Sequence, residues 1–218
     1  MFPVYLDGYE TNKMKRLSLC QFTLFAIVLI LTAGSCKKSP APRPEPLNES
    51  NVLLTLFPEP LIINQPGSHF STDLDRDGVA DLKFGLSVLT ESGRTDYFYA
   101  VDPLNENVQV VATSMLDAYS YPVQTDILDY PVPSNERRWT NSKLILLEKW
   151  VESNKTERIG MFNGANPLYL GVRIKKEGQC HYSWVEIRHK ENSGDDQVII
   201  SAMGFHKLSG FTIKAGAV

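Results

Sequence analysis

Apolar and polar side chains alternate with a period of two along most of this chain. In "DLKFGLSVL", Leu82, Phe84, Leu86 and Val88 alternate with Lys83, Gly85 and Ser87. A period of two sends successive side chains to opposite faces of an extended backbone, so the segment reads as a half-buried strand and not as a helix. "ESGR" turns the chain into "TDYFYAVD", and "PLNEN" turns it again into "VQVVATS". "KLILLEKW", "LYLGVRIKK", "CHYSWVEIRH" and "QVIISAMGF" continue the pattern, with a short hairpin turn at "KEGQ" and a longer one at "ENSGDDQ" around Gly194. No long apolar helical stripe with caps appears. The expectation is an all-β domain over residues 51–218, roughly eight to ten antiparallel strands forming a β-sandwich of jelly-roll type. Of the 218 residues, 43% are hydrophobic and 22% charged, which supplies one sizeable core and excludes a disordered chain.

Ahead of this domain, "MKRLSLCQFTLFAIVLILTAGSC" has the parts of an export signal. Lys15 and Arg16 give a positive end, Phe22 to Leu31 an apolar run too short to span a bilayer, and Ala33-Gly34-Ser35 small residues before Cys36. It resembles a bacterial lipoprotein signal, which implies cleavage after residue 35 and a lipid on Cys36. A plain secretory signal or an uncleaved anchor is the alternative. Residues 1–13 fit neither signal nor domain and read as a start-site artefact. "KKSPAPRPEPLNES", residues 37–50, is a Pro-rich tether. Loss of residues 1–35, which carry three basic and two acidic groups, moves the net charge from −3 to −4. So mild a balance, with no basic patch interleaved with aromatics, argues against a nucleic-acid partner. Cys180 is then the remaining thiol besides Cys36, leaving no disulfide and no CxxC pair.

Residues 114–142 break the strand rhythm with three prolines. A connection of that length is functional, disordered, or hides a short element. Its Tyr119, Tyr121, Tyr130 and Trp139 leave two readings open: an aromatic ledge for a sugar ring, or pins that hold the loop on the core.

The densest chemistry lies in "STDLDRDGVADLKFG". Asp73, Asp75, Asp77 and Asp81 gather around Gly78, although neighbouring like charges repel by something on the order of a kcal/mol per pair. A bound cation removes that conflict. Counting Asp73 as position one, Asp75 and Asp77 fall at three and five, Gly78 at the sharp turn, Val79 at seven with its carbonyl, and Asp81 at nine. Hard calcium needs six to eight oxygens, and this alternation turns them toward one centre. A solvated acidic turn is the alternative.

"DLDRDGVAD" resembles the DxDxDGxxD calcium loop shared by EF-hands, dockerins, thrombospondin type-3 repeats and related extracellular modules. An EF-hand carries Glu at position twelve, where this chain has Phe84, and strands flank the loop. The resemblance therefore implies the ligand loop and one calcium ion, not the EF-hand fold. "YLGVRIKKEGQCHYSWVEIRHK" and "VIISAMGFHKLSGFTIKAG" are further similar to the C-terminal half of a group of uncharacterised bacterial exported lipoproteins. In that group an aspartate-rich calcium loop precedes a "YGWI/V" strand pair and a closing strand ending in Ile-x-x-Gly. Trp184 and Gly216 match, and Ser183 replaces the usual Gly. This implies a secreted β-sandwich and brings no catalytic residues.

Other chemistry is thin. His69, His181, His189 and His206 are dispersed, and no nucleophile elbow, phosphate loop or dinucleotide fingerprint is present. "SGDDQ" at Asp195 and Asp196 reads as a solvated turn or a second weak cation site. The expected function is a non-enzymatic, calcium-stabilised module on the bacterial outer membrane, binding a glycan or an envelope protein, on either membrane face. A glycan-active hydrolase with an unidentified carboxylate pair, or a purely structural envelope component, are the rivals.

Overall fold

The computed structural model describes residues 51–113, 116–127, 137–192 and 195–217. The signal at 1–35, Cys36, the tether to residue 50 and Tyr130 lie outside the described residues. The strands are β1 (Val52–Ile63), β2 (His69–Thr72), β3 (Leu82–Glu91), β4 (Arg94–Pro103), β5 (Val108–Ala112), β6 (Ser120–Tyr121), β7 (Asp126–Ile127), β8 (Arg138–Thr140), β9 (Leu144–Glu152), β10 (Lys155–Ile159), β11 (Leu168–Lys176), β12 (Gln179–Asn192), β13 (Asp195–His206) and β14 (Ile213–Lys214). One sheet runs β1-β13-β12-β11-β5-β8, with β6 also paired to β11, and the second runs β10-β9-β4-β3-β2. All these strand pairs are antiparallel, and the two sheets stack as a sandwich. The all-β sandwich expected from the alternation is the fold observed. Three short strands, β6, β7 and β8, account for part of the irregular segment 114–142.

Turn chemistry explains the hairpins. At the β3–β4 and β11–β12 connections, Ser92 and Gly93 have φ of 50° and 84°, and Glu177 and Gly178 have 51° and 78°. Positive φ at both central residues is the turn whose twist matches that of the flanking strands. The longer turn expected at "ENSGDDQ" is a correction: β12 and β13 stay paired out to Asn192 and Asp195.

Leu82, Phe84 and Leu86 of β3 face Val172, Ile174, Val185 and Ile200 of the larger sheet across the main core. Burying each such side chain contributes about 1.5–3 kcal/mol. Two bulges shift the alternation. Between Tyr99 and Ala100 the β4–β9 register slips, so Leu146 and Leu147 are both buried. Between Glu186 and Ile187 the β12–β13 register slips at Ser201, so Val198 and Ile200 share a core with Met203 and Phe205.

The larger sheet is also covered on its other face. Trp184, Tyr182, Tyr169 and Tyr121 form a second cluster there with Ile127 and Ile213. Glycines make the room: a Cβ on Gly204 would stand 2.4 Å from the Trp184 indole, and one on Gly171 would stand 2.8 Å from the Tyr121 ring.

One end of the sandwich is tied by buried charge. The Asp196 side chain is 0% exposed. Its Oδ1 accepts from Arg158 Nε of β10 at 2.8 Å and lies 2.6 Å from His189 Nε2 of β12, while Lys149 Nζ of β9 stands 3.0 Å from Oδ2. Its backbone carbonyl accepts from the Tyr99 hydroxyl of β4 at 2.8 Å. Burial alone would raise the Asp196 carboxyl, but the Arg158, Lys149 and His189 donors override it and hold the group below its ordinary value. Neither a solvated turn nor a weak cation site describes this residue; it joins the sheets. Asp196→Ala leaves Lys149 and Arg158 without their shared counter-ion, and should cost about 3–5 kcal/mol in urea unfolding at neutral pH. A cost below about 1 kcal/mol would show the network to be incidental.

Candidate metal centre

Residues 73–81 make up the whole connection between β2 and β3. Thr72 and Leu82 are direct cross-strand partners, and Asp81 N–H donates to the Thr72 carbonyl at 2.8 Å. Aspartates suit such a loop because a short carboxylate reaches backbone amides nearby. Gly78 N–H donates to Asp73 Oδ2 at 2.7 Å, Asp77 N–H to Asp75 Oδ1 at 3.1 Å, and Val79 N–H to Asp77 Oδ1 at 2.9 Å. Leu74 N–H donates to Asp81 Oδ2 at 2.8 Å. Gly78 turns the chain at φ 89°, and Arg76 sits at φ 59°. The Arg76 guanidinium anchors that strained residue to β1, donating to the Leu54 carbonyl at 3.1 Å and to Thr55 Oγ1 at 2.8 Å.

Asp73, Asp75 and Asp81 each present a carboxylate oxygen, all within 4.8 Å of one another, and this trio can hold a metal ion. Asp73 Oδ1 is buried without a hydrogen-bond partner. Asp77, the remaining acid, is half exposed and points to the Val79 amide and to a lysine instead. Val79 is exposed. Burial pushes the Asp81 carboxyl up to about 6, with the Asp75, Asp73 and Asp77 charges adding to it against the Leu74 amide. The Val79 amide and Lys176 hold Asp77 below its ordinary value.

That lysine was not legible in the loop. Lys176 ends β11 in the opposite sheet, and its ammonium lies 2.5 Å from Asp75 Oδ2 and 3.0 Å from Asp77 Oδ2. The Asp75 side chain is 1% exposed, so the ammonium answers a carboxylate that water does not reach. Burial would lower the Lys176 pKa, but its bonds to Asp75 and Asp77 raise it. The loop thus carries one internal cation at its Asp75–Asp77 side and an open carboxylate oxygen at Asp73.

The aromatic residues sit elsewhere. Tyr121 is buried within the second cluster, and Tyr119 meets it edge-on with ring centroids 4.8 Å apart. Trp139 leans on Tyr182 at 6.1 Å and carries the Arg173 guanidinium 4.8 Å above its ring, and Arg137 covers Tyr119 at 3.8 Å. These side chains pack on the larger sheet, away from the aspartate loop, as Tyr121 against Gly171 requires.

Asp81 sets a pH dependence. Its folded pKa lies above the ordinary carboxylate value of 3.8, so without metal its ionised form disfavours folding as pH rises from there to about 6. Asp81→Asn keeps an acceptor for Leu74 and removes the charge. In the presence of chelator this variant should be more stable than the parent at pH 7.5, by up to about 3 kcal/mol, with the gain gone near pH 4. Thermal melts across pH test this; a variant less stable than its parent at pH 7.5 would contradict it.

No protein-family model, curated protein or solved structure matches this chain.

Proposed function

We propose that this chain is a calcium-binding, lipid-anchored β-sandwich of the bacterial cell envelope, serving as a binding module for a glycan or an envelope protein. The observation that carries the reading is the convergence of Asp73, Asp75 and Asp81 at the mouth of the β2–β3 hairpin. Hard carboxylate oxygens favour a hard cation, and the DxDxDG spacing with Gly78 at the turn favours calcium over zinc, which prefers nitrogen and sulfur donors. The remaining ligands would be the Val79 carbonyl and water. The role is structural: the ion offsets repulsion within a loop that fixes one hairpin, so its binding energy becomes folding energy. The signal and Cys36 support lipid anchoring in the outer membrane, and the Pro-rich tether supports display of the domain away from it.

Calcium at tenfold excess over its Kd should add about 1.4 kcal/mol, and extracellular modules bind at about 10⁻⁴–10⁻³ M. For a domain of this size that is a rise of about 3–6 °C in melting midpoint. Millimolar calcium against chelator should produce this shift, and the Asp75→Ala/Asp77→Ala double variant should lose it. A parent protein that melts identically in both would remove calcium from the reading.

Lys176 supplies a second test. Calcium must share Asp75 with an ammonium already beside it, so Lys176→Gln removes a like-charge contact of on the order of 1 kcal/mol. Calcium titration followed by melting should show tighter binding in Lys176→Gln than in the parent, by about fivefold. Weaker binding would mean that Lys176 organises the loop for the ion instead of competing with it.

A further inference from the structure

The outer face of the smaller sheet carries a trough of about 230 Å³ across β2, β3 and β4. Strand register explains its shape. Gly85 pairs with Ala100 on one side and with His69 on the other, so the centre of the floor has almost no side chain. A Cβ on Gly85 would lie 3.3 Å from the Ser68 carbonyl, which favours glycine there. Two residue pairs along, on the same face, Lys83 lies opposite Asp102, and Lys143 stands just before Leu144, whose partner is Val101. Lys83, Asp102 and Lys143 therefore form a row of alternating charge across three adjacent strands, bordering the floor of Gly85 and Ala100. Two ammonium groups stand against one carboxylate in this row, which leaves it net positive. Among the described residues, none of these three side chains closes an ion pair or a side-chain hydrogen bond. Cross-strand neighbours of opposite charge would ordinarily pair. Ser87 adds a hydroxyl at the far side of the floor, and no large aromatic lines the trough.

We propose that this trough binds one anionic sugar residue, held by Lys83 and Lys143 at its acidic group and by Asp102 at its hydroxyls. The proposal rests on the binding-module reading above and names its ligand class. A trough this size fits one sugar ring better than a larger organic ligand. Ammonium groups pair with a carboxylate or a sulfate ester, and a carboxylate acceptor suits neighbouring sugar hydroxyls. An open side admits a ring that belongs to a longer chain.

The experiment is calorimetric titration of the full chain, in detergent with millimolar calcium, against three probes: an oligogalacturonate, a sulfated oligosaccharide, and a neutral oligosaccharide of equal length. Galacturonic acid alone tests whether the chain is needed. The expected result is saturable binding of at least one acidic probe, at least tenfold tighter than the neutral one. Lys83→Gln/Lys143→Gln should weaken it by about tenfold or more, and so should Asp102→Ala, with the melting midpoint of each variant unchanged. Which acidic probe binds identifies the anion as carboxylate or sulfate. Equal binding of neutral and acidic probes overturns the proposal, as does acidic binding that survives the double lysine variant. Retention of a glycan or envelope-protein partner by that variant overturns the trough and leaves the binding module standing. Failure of the folded, calcium-loaded parent to bind any glycan or envelope protein removes both.

Discussion

The seven-stranded sheet must bury both of its faces, and most of the architecture follows from that requirement. One face packs on the smaller sheet through Val172, Ile174, Val185 and Ile200, and the other carries Tyr169, Tyr182 and Trp184. A face holding three aromatic rings cannot be left to water, so the chain supplies a cover. Residues 116–127 and 211–217 lay Tyr121, Ile127, Ile213 and Ala215 over it, and β7 pairs with β14 there. Rings of this size fit against a sheet only where neighbouring strands lack side chains, which is why Gly171 and Gly204 sit mid-strand despite the conformational cost of glycine there. Gly216, at φ 75°, passes so close to the Tyr169 hydroxyl that a Cβ would stand 2.7 Å from it.

Charge does the complementary work at two places where the sheets meet. Asp196 gathers Arg158 and Lys149 from the smaller sheet and His189 from its own. Lys176 reaches from the larger sheet to Asp75 and Asp77 in the smaller one. The two clasps differ in what they leave over. Asp196 has three cationic or imidazole partners for one carboxylate, so its charge is answered. The aspartate loop has four carboxylates and one ammonium, so an excess of negative charge remains after Lys176 is counted. Low local dielectric makes that excess costly, as the raised Asp81 shows. Asp73, Asp75 and Asp81 are where a further cation gains most.

How much of this the sequence discloses depends on whether one face or two are buried. β3 alternates cleanly over Leu82, Phe84 and Leu86, and the hairpin turns at Ser92-Gly93, after β3, and at Glu177-Gly178, between β11 and β12, carry their own chemistry, so those parts are readable. Val110, Val111 and Ala112 are buried in succession because their strand is covered on both sides, and periodicity says nothing about which cover does it. β1 hides behind Pro58 and Pro60, which fall where its register with β13 breaks between Leu56 and Leu61. The aspartate loop is local, so spacing alone brings Asp73, Asp75 and Asp81 forward. Lys176 lies 99 residues from Asp77 and meets it through strand stacking, which no local pattern encodes. The same holds for the Lys83–Asp102–Lys143 row, whose members become neighbours only through pairing.

Strand β2 links the metal centre to the trough. It has four residues, lies at a sheet edge, and pairs on one side with β3 alone. Such a strand has little intrinsic hold on its register. At one end the aspartate loop fixes it, through Thr72 opposite Leu82. At the other, Gly67 N–H donates to the Leu86 carbonyl at 3.0 Å and Leu86 N–H to the Ser68 carbonyl at 3.1 Å. Ser68 and His69 wall the trough, four and three residues from Thr72. An ion held in the loop would therefore tighten the trough wall as well, and by linkage a ligand bound in the trough would favour the same hairpin register that the ion requires. A carboxylate trio at the turn of a short edge hairpin makes sense on these grounds: the strand with the least hold on its position is the one whose turn can take a metal ion.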